Sequence, residues 1–265
     1  MKRGIFPALL WFVALYAAQS QDFEVGITGG GVYYIGDLNP SSHFREMQPA
    51  YGILARYNID TRWAVKLSGT RGKLIASSAD SWFLPERNLQ FSSSVTDISA
   101  VAEFNFLPYF TGSKRNCITP FVYGGIGIFF FNPMSGGVEL QPLGTEGQQA
   151  GYEGRKPYRK WSVSFPFGMG VKVGFAKRFG CTLYWEFHKT LTDYLDDVSR
   201  TYYLNGTQID PANPQQYFSD PAMSHQPGMQ RGNSKNQDWY SFCGITITYK
   251  FALAGSRRCK DVYNN

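Results

Sequence analysis

From Phe23 onward, apolar and polar residues alternate with a period of two in eight separate stretches, the pattern of β-strands with two unlike faces. In "AYGILARYNI", Tyr51, Ile53, Ala55, Tyr57 and Ile59 oppose Gly52, Arg56 and Asn58. In "WAVKLSG", Trp63, Val65 and Leu67 oppose Lys66 and Ser68, and "SVTDISAVAEFNF" sets Ile98, Ala100, Ala102, Phe104 and Phe106 against Asp97, Ser99, Glu103 and Asn105. The cleanest stretch is "KWSVSFPFGMGVKVGF", where eight apolar residues from Trp161 to Phe175 alternate with Ser, Pro, Gly and Lys172. "CTLYWEFHK" pits Leu183, Trp185 and Phe187 against Glu186 and His188, and "WYSFCGITITYKF" pits Ile245, Ile247, Tyr249 and Phe251 against Thr246, Thr248 and Lys250. "ITPFVYGGIGIFFFN" is apolar on both faces. The first stretch, "EVGITGGGVYYIGDLNP", places Val25, Ile27, Tyr33 and Ile35 on one apolar face.

Most of these segments run roughly 9 to 15 residues, longer than ordinary soluble strands and suited to tilted membrane-crossing ones. The connections alternate in length. Loops at 37–49, 75–94, 132–160 and 190–237 are long, whereas "NIDTR", "LPYFTGSKRNC" and "AKRFG" are shorter. Outer-membrane barrels alternate in this way, with long external loops, short periplasmic turns and both termini on the periplasmic side. The expected fold is all-β: an eight-stranded antiparallel transmembrane β-barrel over residues 21–251, with a periplasmic tail at 252–265. So small a barrel has room only for side chains, so Arg56, Lys66, Asp97, Glu103, Lys172, Glu186 and His188 are expected as paired polar filling of a closed lumen. The loop at 190–237, rich in Pro, Asn, Gln and Ser, reads as irregular and mobile.

The N-terminus carries Lys2 and Arg3, an apolar run at 5–18 and small residues at "AQS". That is the pattern of a secretory signal peptide over residues 1–20, removed to leave a chain starting at Gln21. The remaining charge, +6 less Lys2 and Arg3, is +4, too mild and dispersed to suggest a nucleic-acid partner. Aromatic residues make up 17% of the chain and glycines number 28; such aromatic content fits side chains that face lipid.

The triplet Gly29-Gly30-Gly31 does not build a phosphate loop, because Tyr34 breaks G-x-G-x-x-G and no G-K-[ST] follows. Its expected use is geometric, at a bend or a close approach. The histidines are His43, His188 and His225; His188 neighbours Glu186 and could approach Ser164 or Thr190, yet it shares the inward face and reads as lumen filling. "LDD" at 195–197 lacks ligand spacing and is expected to be solvated. No catalytic residue, metal ligand, cofactor or small-molecule substrate is therefore expected.

The expected periplasmic rim gathers Arg62, Lys114, Arg115, Lys177, Arg178, Arg257, Arg258 and Lys260 against Asp60 and Asp261. Contact with lipid headgroups accounts for such a rim; so does docking of an acidic periplasmic partner. Cys117 at this rim and Cys259 in the tail are the first candidates for a disulfide, with Cys181 competing and Cys243 mid-strand, out of reach.

"GGGVYYIGDLNP", "TPFVYGGIGIFFFNP" and "ITITYKF" together resemble the Bacteroidetes-type outer-membrane barrels that include PorG, a component of the type IX (Por) secretion system. The resemblance spans nearly the whole chain after the signal. It implies a non-enzymatic protein of the outer membrane, associated with the periplasmic ring of the PorK lipoprotein and PorN. It supplies no catalytic residues. A surface-binding adhesin working through the external loops is the alternative, and a lipid-modifying enzyme the third reading.

Overall fold

The computed structural model describes residues 22–80 and 84–252. Eight long strands are β1 (Asp22–Ile35), β2 (Gln48–Asn58), β3 (Trp63–Ser77), β4 (Gln90–Asn105), β5 (Ile118–Phe130), β8 (Trp161–Gly174), β9 (Phe179–Thr190) and β10 (Trp239–Ala252). A short hairpin, β6 (Pro133–Ser135) and β7 (Val138–Glu139), lies in the third long loop and adds to β4. Each long strand pairs antiparallel with the next, and β1 pairs with β10 from Asp22↔Ala252 to Ile35↔Trp239. The sheet closes on itself and leaves no long edge.

Most outward positions are apolar. Ile27, Ile53, Met169 and Leu183 are 68, 67, 60 and 59% exposed, and with their neighbours they form a continuous hydrophobic wall. Water would penalise such a surface, whereas lipid accepts it provided every backbone group is paired, as in a closed barrel.

The lumen holds the seven charged residues read from the inward face, all buried. Arg56 bridges Glu24 (2.9 Å) and Glu103 (2.8 Å), and Lys172 Nζ donates to Glu103 at 2.6 Å. Higher up, Lys66 meets Glu186 at 3.2 Å, His188 Nε2 lies 2.7 Å from Glu186, and the Tyr240 hydroxyl donates to Asp97 at 2.8 Å. A space of about 20 Å³ remains among Arg56, Lys66, Glu103 and Glu186. The cylinder is filled, not open.

The glycine triplet has two separate uses. A Cβ on Gly30 would run into the Cys243 carbonyl of β10, so Gly30 permits the close approach of the first and last strands. Gly31 makes room for the Met47 side chain.

Four expectations are corrected. The second long loop is shorter than 75–94, because β3 and β4 extend to Ser77 and back to Gln90. Tyr33 points outward but is 0% exposed, because residues 43–47 fold down against the outer wall. There the Phe44 ring sits 5.1 Å from Tyr33 and 5.3 Å from Trp185, and Met47 Sδ lies 3.6 Å from Cys243 Sγ. The last loop is packed, not loose: it contains a short helix (Pro214–Ser219) capped by Asn213, and it buries Tyr202, Ile209, Asp220 and Arg231. "LDD" is buried, not solvated, with Leu195 in an apolar core that caps the long-loop end together with Leu38, Leu74, Leu89, Phe91, Phe131 and Leu140. Loop burial of this kind follows from contacts between distant loops, which no local period reports.

Candidate functional site

At the short-turn end, the turn at 106–117 folds across the barrel mouth. Its Tyr109 and Thr111 are buried, and the Thr111 hydroxyl donates to Glu24 Oε1 at 2.6 Å. The Tyr109 amide donates to the Thr61 carbonyl at 3.0 Å, fixing the turn to its neighbour at 59–62. Burial pushes the Tyr109 phenol up to about 12, so it stays neutral in the plug. Sequence reasoning missed this plug. Its signal is the aromatic pair Tyr109 and Phe110, beyond the strand end at Phe106 and Leu107 and just before the polar run from Thr111 to Asn116.

Gly112, at φ 96°, packs directly against the Lys177 backbone, so the turns at 106–117 and 175–178 touch. Lys114, Arg115, Lys177 and Arg178 are thereby presented on neighbouring turns, all exposed, and Arg62 joins them from the third turn. The Arg62 guanidinium donates to the Phe106 carbonyl (2.7 Å) and Arg178 to the Tyr249 hydroxyl (2.8 Å). Neutral acceptors hold these heads in place without cancelling their charge. Asp60, the acid among these turns, accepts the amides of Arg62 and Trp63. The result is an exposed basic face beneath a closed barrel. Arg257, Arg258, Lys260 and Cys259 lie outside the described residues, as do the signal segment at 1–20 and Asp261. Cys117, Cys181 and Cys243 are unbridged to one another among the described residues.

Inside the barrel, Ser164, His188 and Glu186 do come together: Ser164 Oγ lies 3.4 Å from His188 Nδ1, and Nε2 lies 2.7 Å from Glu186. All three are sealed in the lumen, with the Tyr240 ring stacked on the imidazole at 4.5 Å. A nucleophile so placed meets neither lipid nor solvent. His43 belongs to the outer-wall clasp, and His225 stacks on Tyr202 while pairing with Asp220.

The long-loop end concentrates acids. The Asp196 and Asp238 carboxylates both meet the Tyr34 hydroxyl at 2.7 Å, while Glu146 and Asp197 surround Arg231. Burial, with neighbouring acids adding to it, raises Asp196 and Asp238 well above the usual carboxylate range and Asp193 to about 8. Burial also lifts Asp37 and Asp197 to about 6, against the pull of Arg87 and Arg231. Among the described residues no three His, Cys, Asp or Glu side chains stand as a metal-binding group.

No curated protein matches the sequence. Solved structures that resemble it include Ail, the attachment invasion locus protein of Yersinia pestis, in complex with the heparin analogue sucrose octasulfate: 9% identity, 88% of this chain and 100% of that one, TM-score 0.43. Neisserial surface protein A gives 11% identity over 86% of this chain and 97% of that one, TM-score 0.45. The outer membrane protein OprG from Pseudomonas aeruginosa gives 8% identity over 88% and 98%, TM-score 0.43. Residues 3–260 match the domain of unknown function DUF6089, and the chain belongs to that family.

Proposed function

We propose that the protein is a non-enzymatic outer-membrane barrel, exported on a cleaved signal peptide, that serves the type IX secretion machinery by positioning the periplasmic ring of the PorK lipoprotein and PorN. The observation that carries this reading is the basic short-turn face, where Lys114, Arg115, Lys177 and Arg178 stand exposed on two touching turns over a filled barrel. The sequence resemblance to PorG-type barrels supplies the partner. A closed lumen suits a structural part better than a conduit, and oriented basic groups suit an acidic partner. In cells, neutralising the four residues to Gln should abolish co-purification of the ring proteins while leaving the folded barrel in the membrane. Undiminished co-purification would overturn the proposal.

The second reading is a surface-binding barrel, favoured by the ordered cap of packed external loops. The same variant separates the two, since surface adhesion would survive it.

A further inference from the structure

We propose that the outer wall at the long-loop end carries a binding site for the phosphorylated headgroup of an outer-leaflet lipid, seated between Lys189 and Lys235. The site needs only a membrane-spanning barrel, so it stands or falls separately from the secretion role.

Trp239 faces Lys189 on one side and Ile35 on the other, so three outward positions lie abreast on β9, β10 and β1. Their chain neighbours His188 and Tyr240 point inward and are fully buried, which fixes the outward direction of Lys189 and Trp239. Above them the segment at 233–237 overhangs the wall and encloses a recess of about 610 Å³ with Lys235 on its lip. The overhang is anchored: the Asn233 amide donates to Asp37 Oδ2 at 2.8 Å, and the Asn236 amide to the Asn233 carbonyl at 3.0 Å. Asp37 also lines the recess, with that oxygen already engaged by Asn233. Lys189 Nζ lies 5.5 Å over the Trp239 ring, and both lysines are exposed.

An unbroken ladder of rings descends from this recess along the lipid side of the wall. Trp239 meets Phe167 at 5.9 Å, Phe167 meets Phe187 at 5.7 Å, Phe187 meets Trp185 at 4.8 Å, and Trp185 meets Phe44 at 5.3 Å. Tryptophan, with an apolar body and a polar edge, settles at the level of lipid headgroups, which suits Trp239 at the top of the ladder; lysine ammoniums there attract phosphate, and the phenylalanine rungs below offer apolar surface to an acyl chain. A soluble anion would use the lysines but not the ladder. A neutral lipid would use the ladder but not the lysines. A phosphorylated lipid uses both, with its headgroup in the recess and an acyl chain along the rings.

The test titrates the purified full-length barrel, in non-ionic detergent, with monophosphorylated lipid A and counts bound lipid by native mass spectrometry. The expected result is one saturable site, weakened about tenfold or more by Lys189→Ala with Lys235→Ala, weakened also by Phe167→Ala, and unaffected by Lys73→Ala elsewhere on the outer wall. Heat-modifiable gel mobility confirms that each variant is folded. Unchanged binding in the folded double lysine variant would overturn the proposal. So would complete displacement of the lipid by equimolar inorganic phosphate, which would identify a free-anion site, or equal binding of the dephosphorylated lipid.

Discussion

Thr111 donates its hydroxyl proton to Glu24 at 2.6 Å, so a turn outside the strands completes the ionic filling inside them. The other Glu24 oxygen accepts from Arg56, and the plug is thus continuous with the charge network of the lumen.

Replacing Thr111 with Val removes that donor and leaves a buried carboxylate oxygen without a partner, a loss of about 1–3 kcal/mol. Amides at 106–117 should then exchange with solvent roughly tenfold or more faster, while Thr111→Ser retains protection. Hydrogen exchange read by mass spectrometry distinguishes the two.

Glu103 is the shared partner of Arg56 and Lys172. Glu103→Gln leaves two buried cations with only Glu24 between them, and should destabilise the barrel by about 3–5 kcal/mol. Lys66→Met should cost less, because Glu186 keeps His188 as a partner. Both follow from the temperature at which the barrel loses its compact gel mobility.

The cap should respond to pH. Asp193, Asp37 and Asp197 hold their protons to about 8, 6 and 6 in the folded loops, against 3.8 for an ordinary aspartate. A raised folded value means that the cap is fully favoured below about pH 4 and loses stability as pH climbs to 8. Proteolytic cutting within 191–238, measured against pH, should rise over that window. Asp193→Asn should flatten the upper part of the curve, between pH 6 and 8.

The triplet gives a paired test. Gly29→Ala meets nothing within 4 Å and should assemble normally, whereas Gly30→Ala drives a Cβ into the backbone of β10 and should block closure. Protease-resistant, folded barrel in membranes is the readout.

The strands and the lumen were legible because a two-residue period reports directly which side of a sheet a residue faces. Lys172, isolated among apolar neighbours in β8, could point only inward. The site was legible in part: the rim lysines and arginines fall in turns fixed by the strand ends, but the plug does not, since Thr111 finds Glu24 across 87 residues. The same reason hid the cap. Asp197 reads as a solvated loop charge until Thr145, Tyr158 and Arg231 are brought around it. Tyr33 lies on the face that its period predicts but not against lipid, because "HFREM" in the first loop supplies its cover.

That cover lies over the one boundary of the barrel whose two strands stand at opposite ends of the chain. Every other long pairing joins long strands consecutive along the chain; β1 and β10 pair across the greatest sequence separation in the barrel. Residues 43–47 press Phe44 and Met47 onto Tyr33, Trp185 and Cys243, and so can lie down only after β1, β9 and β10 are in register. The clasp acts as a hasp that engages on completion, slowing reopening of the finished barrel more than it speeds folding.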